Sequence, residues 1–262
     1  MLKRKSNIRQ FPYGIQNSQK PYRLFCFHHA GGNAVIFRNW LNFSSHVEVI
    51  PIEIPGHSSR MDEACVTDFE NIVEEVSHAI ASVYDERPVC LYGHSLGAAI
   101  AFQTAVLLKK KYQLKVKKLF VAGRQAPMDA DVSGFRLEMG LEKMYEELIR
   151  MGMTTKKDTE DAVFRKVFQP ILVNDYQLSE NYTYHGEKID IPIVALSGDE
   201  DYTASEQIMR RWKMVTDSGF THYEFHGNHF FPYNSNESQV LRILRNEILS
   251  TETYEQSKIQ FA

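Results

Sequence analysis

One pentapeptide constrains this chain more than any other feature: Gly93-His94-Ser95-Leu96-Gly97 stands directly after an apolar run and directly before a helical one. A serine on a sharp strand-to-helix turn is forced into a strained backbone, and side chains two residues either side would collide with the turn. Gly93 and Gly97 remove both collisions. Pro88 to Tyr92 reads as a short buried strand, and Ala98 to Leu108 as an apolar helix running into Lys109-Lys110-Lys111. In that frame Ser95 reads as a nucleophile, with the helix beginning at Leu96 aiming its first amides at charge developing beside the hydroxyl. A Gly-Ser-Gly turn without chemistry is the plainer alternative, and the flanking strand and helix argue against it.

The same alternation continues on both sides. Strands are expected at Tyr22 to Phe27, Val47 to Ile54, Lys118 to Val121, Ile191 to Leu196 and Phe220 to Phe225. Between them, helices are expected at Val35 to Phe43, Asp68 to Tyr84 (capped by Thr67 or Asp68), Ser205 to Val215 and Glu237 to Leu249. Parallel neighbours need crossover connections, so the pattern predicts an α/β fold: a mostly parallel central sheet with helices on both faces. Residues from about 125 to 188 interrupt it with charged helical segments rich in methionine (Met128, Met139, Met144, Met151, Met153) and read as a lid insertion. Those methionines suit a surface that accepts varied apolar groups, or they pack the inside of the lid. Residues 1 to 20 are polar, without periodicity, and read as a loose arm.

With 262 residues, 43% hydrophobic and 24% charged, the chain can bury one sizeable core, and a single catalytic domain is expected. A net charge of -3 gives no broad electrostatic grip on nucleic acid or anionic lipid. No segment has the apolar length to span a bilayer and the N-terminus lacks a secretory signal, so a cytoplasmic protein is expected. The three cysteines, Cys26, Cys65 and Cys90, leave an odd count; Cys26 and Cys90 fall in expected strands, and neither a disulfide framework nor a metal site is indicated.

A serine hydroxyl needs a base, and the base needs an acid to hold its tautomer. On an elbow of this kind the chain order is serine, acid, histidine. The acid is sought in Ser197-Gly-Asp-Glu-Asp201, after a strand end, where Asp199, Glu200 and Asp201 all compete. His229 is preferred over His226, because His226 ends a strand while His229 falls in the following loop, whose Gly227 and Asn228 permit a tight turn. Backbone donors for an oxyanion are expected from Leu96 and, in the Phe27-His-His-Ala-Gly-Gly32 loop, from Ala30. His28 and His29 do not make a metal pair, since adjacent side chains on extended backbone point apart and no third ligand is apparent. His94 is directed away from the Ser95 hydroxyl and is expected to pack.

Together these motifs resemble the type II thioesterases that accompany nonribosomal peptide and polyketide synthetases. The family signature Phe-Pro-x-Ala-Gly-Gly appears as Phe27-His-His-Ala-Gly-Gly32, and Leu-Pro-Gly-x-x-x-Arg as Ile54-Pro-Gly-His-Ser-Ser-Arg60. Gly123-Arg-Gln-Ala-Pro127, Pro170 to Asp175 with Glu180-Asn-Tyr182, Gly198 to Asp201 and Gly227 to Phe231 complete the match, which covers nearly all of the chain after residue 20. His28 departs from the usual proline and bears on the loop that carries Ala30.

The resemblance implies an α/β-hydrolase fold with a helical lid and selects Asp201, three residues after Gly198, with Asp199 as runner-up. It further implies a serine hydrolase that removes acyl groups from the phosphopantetheine thioester of carrier proteins. Such an enzyme needs no cofactor of its own, and a monomer is expected. A free-standing carboxylesterase with the same triad is the alternative, since fold and triad do not separate esters from thioesters. A non-catalytic binding protein on the same scaffold is disfavoured because no triad member is missing.

Overall fold

The computed structural model describes residues 8–16 and 19–259, of which 251–259 are described as backbone only. Six strands, β1 (Tyr22–Phe27), β2 (Val47–Pro51), β3 (Val89–His94), β4 (Val116–Ala122), β5 (Ile193–Gly198) and β6 (Phe220–Phe225), form one sheet in the order β2-β1-β3-β4-β5-β6. Every neighbouring pair is parallel, so all the strands end at the same edge of the sheet.

Alternate residues of each strand feed two different cores, as a pleated sheet covered on both faces requires. Phe25, Leu91, Leu119 and Ile193 pack beneath α1 (Phe69–Ser82) and α2 (Leu96–Lys110). Leu24, Cys26, Cys90, Tyr92 and Phe120 face the opposite side, where Trp40 and α7 (Glu237–Ile259) supply the cover through Val240, Leu244 and Ile248. The Asp68 carboxylate caps α1 by accepting from the Asn71 amide at 3.0 Å, which decides between the two capping candidates. Cys26 and Cys90 are buried in strands, and all three cysteines are free thiols.

Two expected helices are tighter than the periodicity implied. Residues Ala34–Asn42 form a 3₁₀ helix, and the segment after Ser205 is a single α turn, α6 (Glu206–Met209), running into 3₁₀ geometry over Arg210–Val215. Both still bury the apolar positions that suggested them, among them Phe37, Trp40 and Trp212, because a spacing of three or four serves either helix type.

The N-terminal segment departs from a loose arm where it is described. Phe11 is 3% exposed, its ring centroid lies 5.8 Å from that of Phe25, and the Glu53 amide donates to the Gln10 carbonyl at 2.9 Å. One buried aromatic, worth roughly 2 kcal/mol, anchors a segment without periodicity. Residues 1–7, 17 and 18 of that expected arm lie outside the described residues.

Between β4 and β5 the chain leaves the sheet to form α3 (Leu141–Met151), α4 (Lys156–Glu160) and α5 (Gln169–Glu180). Their own small core contains Phe135, Met144, Tyr145, Leu148 and Leu172. Of the methionines, Met144 packs inside, Met139 is half exposed, and Met151 and Met153 face a cavity against the sheet edge. Among the described residues, no helix is long and apolar enough to cross a membrane.

Candidate active site

The pentapeptide turns as its spelling requires. Ser95 has φ 54° and ψ -119°, a strained backbone for a residue with a side chain. A Cβ at Gly93 would come within 2.1 Å of the Gly97 carbonyl oxygen, and one at Gly97 within 2.4 Å of the Phe27 carbonyl oxygen. The first glycine therefore clears the turn, while the second lets α2 approach the end of β1. The Ser95 amide donates to the Ala122 carbonyl at 2.8 Å, tying the elbow to the end of β4.

The neighbouring loops meet at the same sheet edge because the strands run parallel in register, Gly93 opposite Phe27 and Gly198 opposite Phe225. His229 and Asp201 are both buried, with His229 Nδ1 2.8 Å from Asp201 Oδ2. The other carboxylate oxygen of Asp201 accepts from the Thr203 amide at 3.0 Å and the Thr203 hydroxyl at 2.6 Å. Burial alone would push the Asp201 carboxyl up, but donation from His229 and Thr203 outweighs it and holds the group below the ordinary carboxylate range. The bond at Nδ1 leaves His229 Nε2 as the free ring nitrogen. The sequence did not mark Thr203, because an aspartate that accepts from the amide two residues on makes no demand on the side chain at that position.

The rejected candidates form a couple of their own. Asp199 accepts from the Gly227 amide at 2.9 Å and faces His226 Nδ1 at 3.1 Å, with both side chains exposed at the surface. That contact raises the His226 imidazole above its ordinary value. Burial thus distinguishes two Asp–His couples, Asp201–His229 inside and Asp199–His226 at the surface.

Ser95, His229, Ala30 and Leu96 line one cavity of about 260 Å³. Leu96 opens α2, so its amide has no intrahelical acceptor. Gly123, with φ 61°, borders the cavity where a Cβ would stand 2.7 Å from His94 Nε2 and 3.1 Å from His229 Cε1. His94 does more than pack: its Nε2 lies 2.9 Å from the His229 carbonyl oxygen and so carries the hydrogen of that bond. Burial, followed by the neighbouring His229 and His29, lowers its imidazole well below the ordinary value.

A second buried group lies behind the Ala30 loop. The Asp175 carboxylate accepts from the Gly31 amide at 2.7 Å and faces His57 Nε2 at 3.0 Å, while His57 Nδ1 faces the Pro55 carbonyl at 3.0 Å. Both imidazole nitrogens of His57 thus face acceptors. Although burial opposes the charge, these contacts raise its basicity. The link between α5 and the Ala30 loop joins residues 144 positions apart, which no local pattern announces. His28 and His29 each bond a backbone carbonyl through Nδ1, at 2.9 Å.

An imidazole oriented by a buried carboxylate, a hydroxyl on a strained elbow and amides at a helix start are the components of acyl transfer through a serine ester. The thioesterase-domain family model matches residues 22–248. The chain is 31% identical to the gramicidin S biosynthesis protein GrsT of Aneurinibacillus migulanus over 226 residues, 86% of this chain and 88% of GrsT. It is 31% identical to thioesterase PikA5 of Streptomyces venezuelae over 213 residues, 80% of this chain and 75% of PikA5. Among solved structures, RedJ, a thioesterase from the prodiginine biosynthetic pathway in Streptomyces coelicolor, superposes with a TM-score of 0.78 at 28% identity, covering 89% of this chain and 91% of RedJ. By a match that runs from the first residue of β1 into α7, the chain belongs to the thioesterase family.

Proposed function

We propose that this thioesterase hydrolyses acyl groups from the phosphopantetheine thioester of carrier proteins, clearing stalled or misprimed intermediates from a nonribosomal peptide or polyketide synthetase. The observation that carries the reading is the buried Asp201–His229 couple opening on the cavity that holds Ser95. Relatives named for gramicidin S and prodiginine biosynthesis support the substrate class.

In this scheme Ser95 Oγ attacks the thioester carbonyl carbon while His229 Nε2 accepts the hydroxyl proton. The carbonyl oxygen becomes an oxyanion held by the amides of Ala30 and Leu96. Collapse breaks the carbon–sulfur bond, and the departing thiol takes the proton from His229. Water then attacks the serine ester, giving its proton to His229, and Ser95 leaves with that proton as the free acid departs. Asp201 stabilises the imidazolium in both halves. The phosphopantetheine arrives on the substrate, so the chemistry needs no cofactor of the enzyme's own. The excursion between β4 and β5 serves as the lid over the acyl and pantetheine groups, with the protein acting as a cytoplasmic monomer.

Intact-mass spectrometry of an acyl-phosphopantetheinyl carrier protein, incubated with the enzyme and with its Ser95→Ala variant, tests the proposal. Ser95-dependent loss of the acyl mass, faster than cleavage of a small aryl ester, is the expected result. An untouched carrier beside a rapidly cleaved aryl ester would overturn it in favour of a free-standing carboxylesterase.

A further inference from the structure

The loop after β1 carries an imidazole that the reaction scheme does not use. His28 is buried, and its Nδ1 lies 2.9 Å from the His29 carbonyl oxygen. A carbonyl only accepts, so Nδ1 carries a hydrogen. The Gly32 amide reaches the same oxygen at 3.0 Å. A trans peptide is planar, and holding the His29 carbonyl therefore turns the N–H of Ala30 the opposite way. The following peptide is held as well, with the Ala30 carbonyl 2.9 Å from His29 Nδ1 and the Gly31 amide on Asp175. Ala30 borders the cavity beside Ser95.

The rest of the His28 ring agrees with that tautomer. Its Nε2 has no hydrogen-bond partner and lies 3.6 Å from Glu53 Oε1. Burial, then the nearby His57, lowers the imidazole well below its ordinary value and keeps it neutral, with its single hydrogen on Nδ1.

We propose that His28 is a positioning residue for the oxyanion hole: its Nδ1–H holds the peptide that presents the Ala30 amide to the tetrahedral intermediate. The proposal rests on the reading of Ala30 as an oxyanion donor. Between Phe27 and Gly32 no proline restrains the backbone covalently, and the loop is restrained by hydrogen bonds instead. Losing one oxyanion donor outright costs roughly 10²- to 10³-fold in rate. Because the Gly32 amide still holds the same carbonyl, losing His28 removes only part of the restraint, and about a tenfold fall in kcat is expected.

Two variants with the same number and branching of side-chain heavy atoms decide the matter, His28→Asn with a side-chain N–H and His28→Leu without one. Hydrolysis of an acyl-pantetheine thioester is measured beside inhibition by phenylboronic acid, whose adduct on Ser95 places an oxygen among the same amides. His28→Leu should lose about tenfold in kcat with KM within about twofold and bind the boronic acid correspondingly more weakly, while His28→Asn recovers most of both. Equal behaviour of the two variants, or native kcat and boronic acid affinity in His28→Leu, would overturn the proposal. Ser95→Ala is run alongside: its activity would sink the nucleophile assignment itself, a separate failure. If neither variant folds, the imidazole ¹⁵N shifts of the unaltered protein decide, because an Nε2–H tautomer for His28 leaves Nδ1 unable to donate.

Discussion

His94 Nε2 donates to the main-chain carbonyl of His229 at 2.9 Å, so the residue beside the elbow serine holds the backbone of the proposed base. The ring centroids of the two imidazoles lie 4.8 Å apart. His94→Phe keeps a ring of similar size but leaves that carbonyl without its donor, at a cost of about 1–3 kcal/mol for a buried acceptor. The expected outcome is a lower melting temperature together with about a tenfold fall in kcat and a steady KM, since a displaced base harms the reacting state more than substrate binding. Native kcat in a folded His94→Phe protein would show that the bond does not position His229.

Gly123 is the space into which both imidazoles fit. Its φ of 61°, and the mere 2.7 Å that would separate an added Cβ from His94 Nε2, make even alanine a strained substitution. Gly123→Ala should be destabilised by roughly 1–2 kcal/mol and lose about a hundredfold in kcat/KM, because small misplacements of catalytic groups cost that much. Urea unfolding and steady-state kinetics on the same preparation check both halves.

The two Asp–His couples predict opposite outcomes for one chemical change. Asp201→Asn removes the carboxylate that, in the proposed scheme, stabilises the His229 imidazolium, and should lower kcat by on the order of 10³- to 10⁴-fold. Asp199→Asn alters a solvent-exposed contact with His226 and should leave kcat within about twofold. If Asp199→Asn proved the more damaging in the same assay, the acid would be Asp199.

Glu53 gives the fold a pH dependence. Burial pushes its carboxyl up to about 7, against the opposing pull of the Ala34 amide, His57 and Arg60. An unfolded glutamate ionises near about 4.3, so between that pH and about 7 the folded protein keeps a proton that the unfolded chain has released. The contribution to stability is thus full on the acid side and is lost as pH rises through about 7, by at most roughly 4 kcal/mol. Urea midpoints at several pH values should show this slope in the native protein and its absence in Glu53→Gln; an identical slope in both would assign it to other groups.

The alternation of strands and helices, the elbow and the alignment of its glycines were legible along the chain, because strand and helix periodicities and turn sterics are local. Residues 22 to 27 and 220 to 225 are strands over the very spans their composition marks. Helix type was less legible at residues 34 to 42 and 210 to 215, where apolar spacings of three and four serve both α and 3₁₀ geometry. Phe11, a lone aromatic in a polar segment, carried no periodic signal at all.

By itself, then, the sequence determined the elements, the serine on its turn, the preference for His229 over His226 and, through the family resemblance, for Asp201 over Asp199. Only the tertiary structure decided the contacts themselves: Asp201 with His229 across 28 residues, His94 with the His229 carbonyl across 135, and Asp175 with the Gly31 amide across 144. Those partners meet because parallel strands in register bring their following loops to one edge, where burial removes the competing water and makes each hydrogen bond selective.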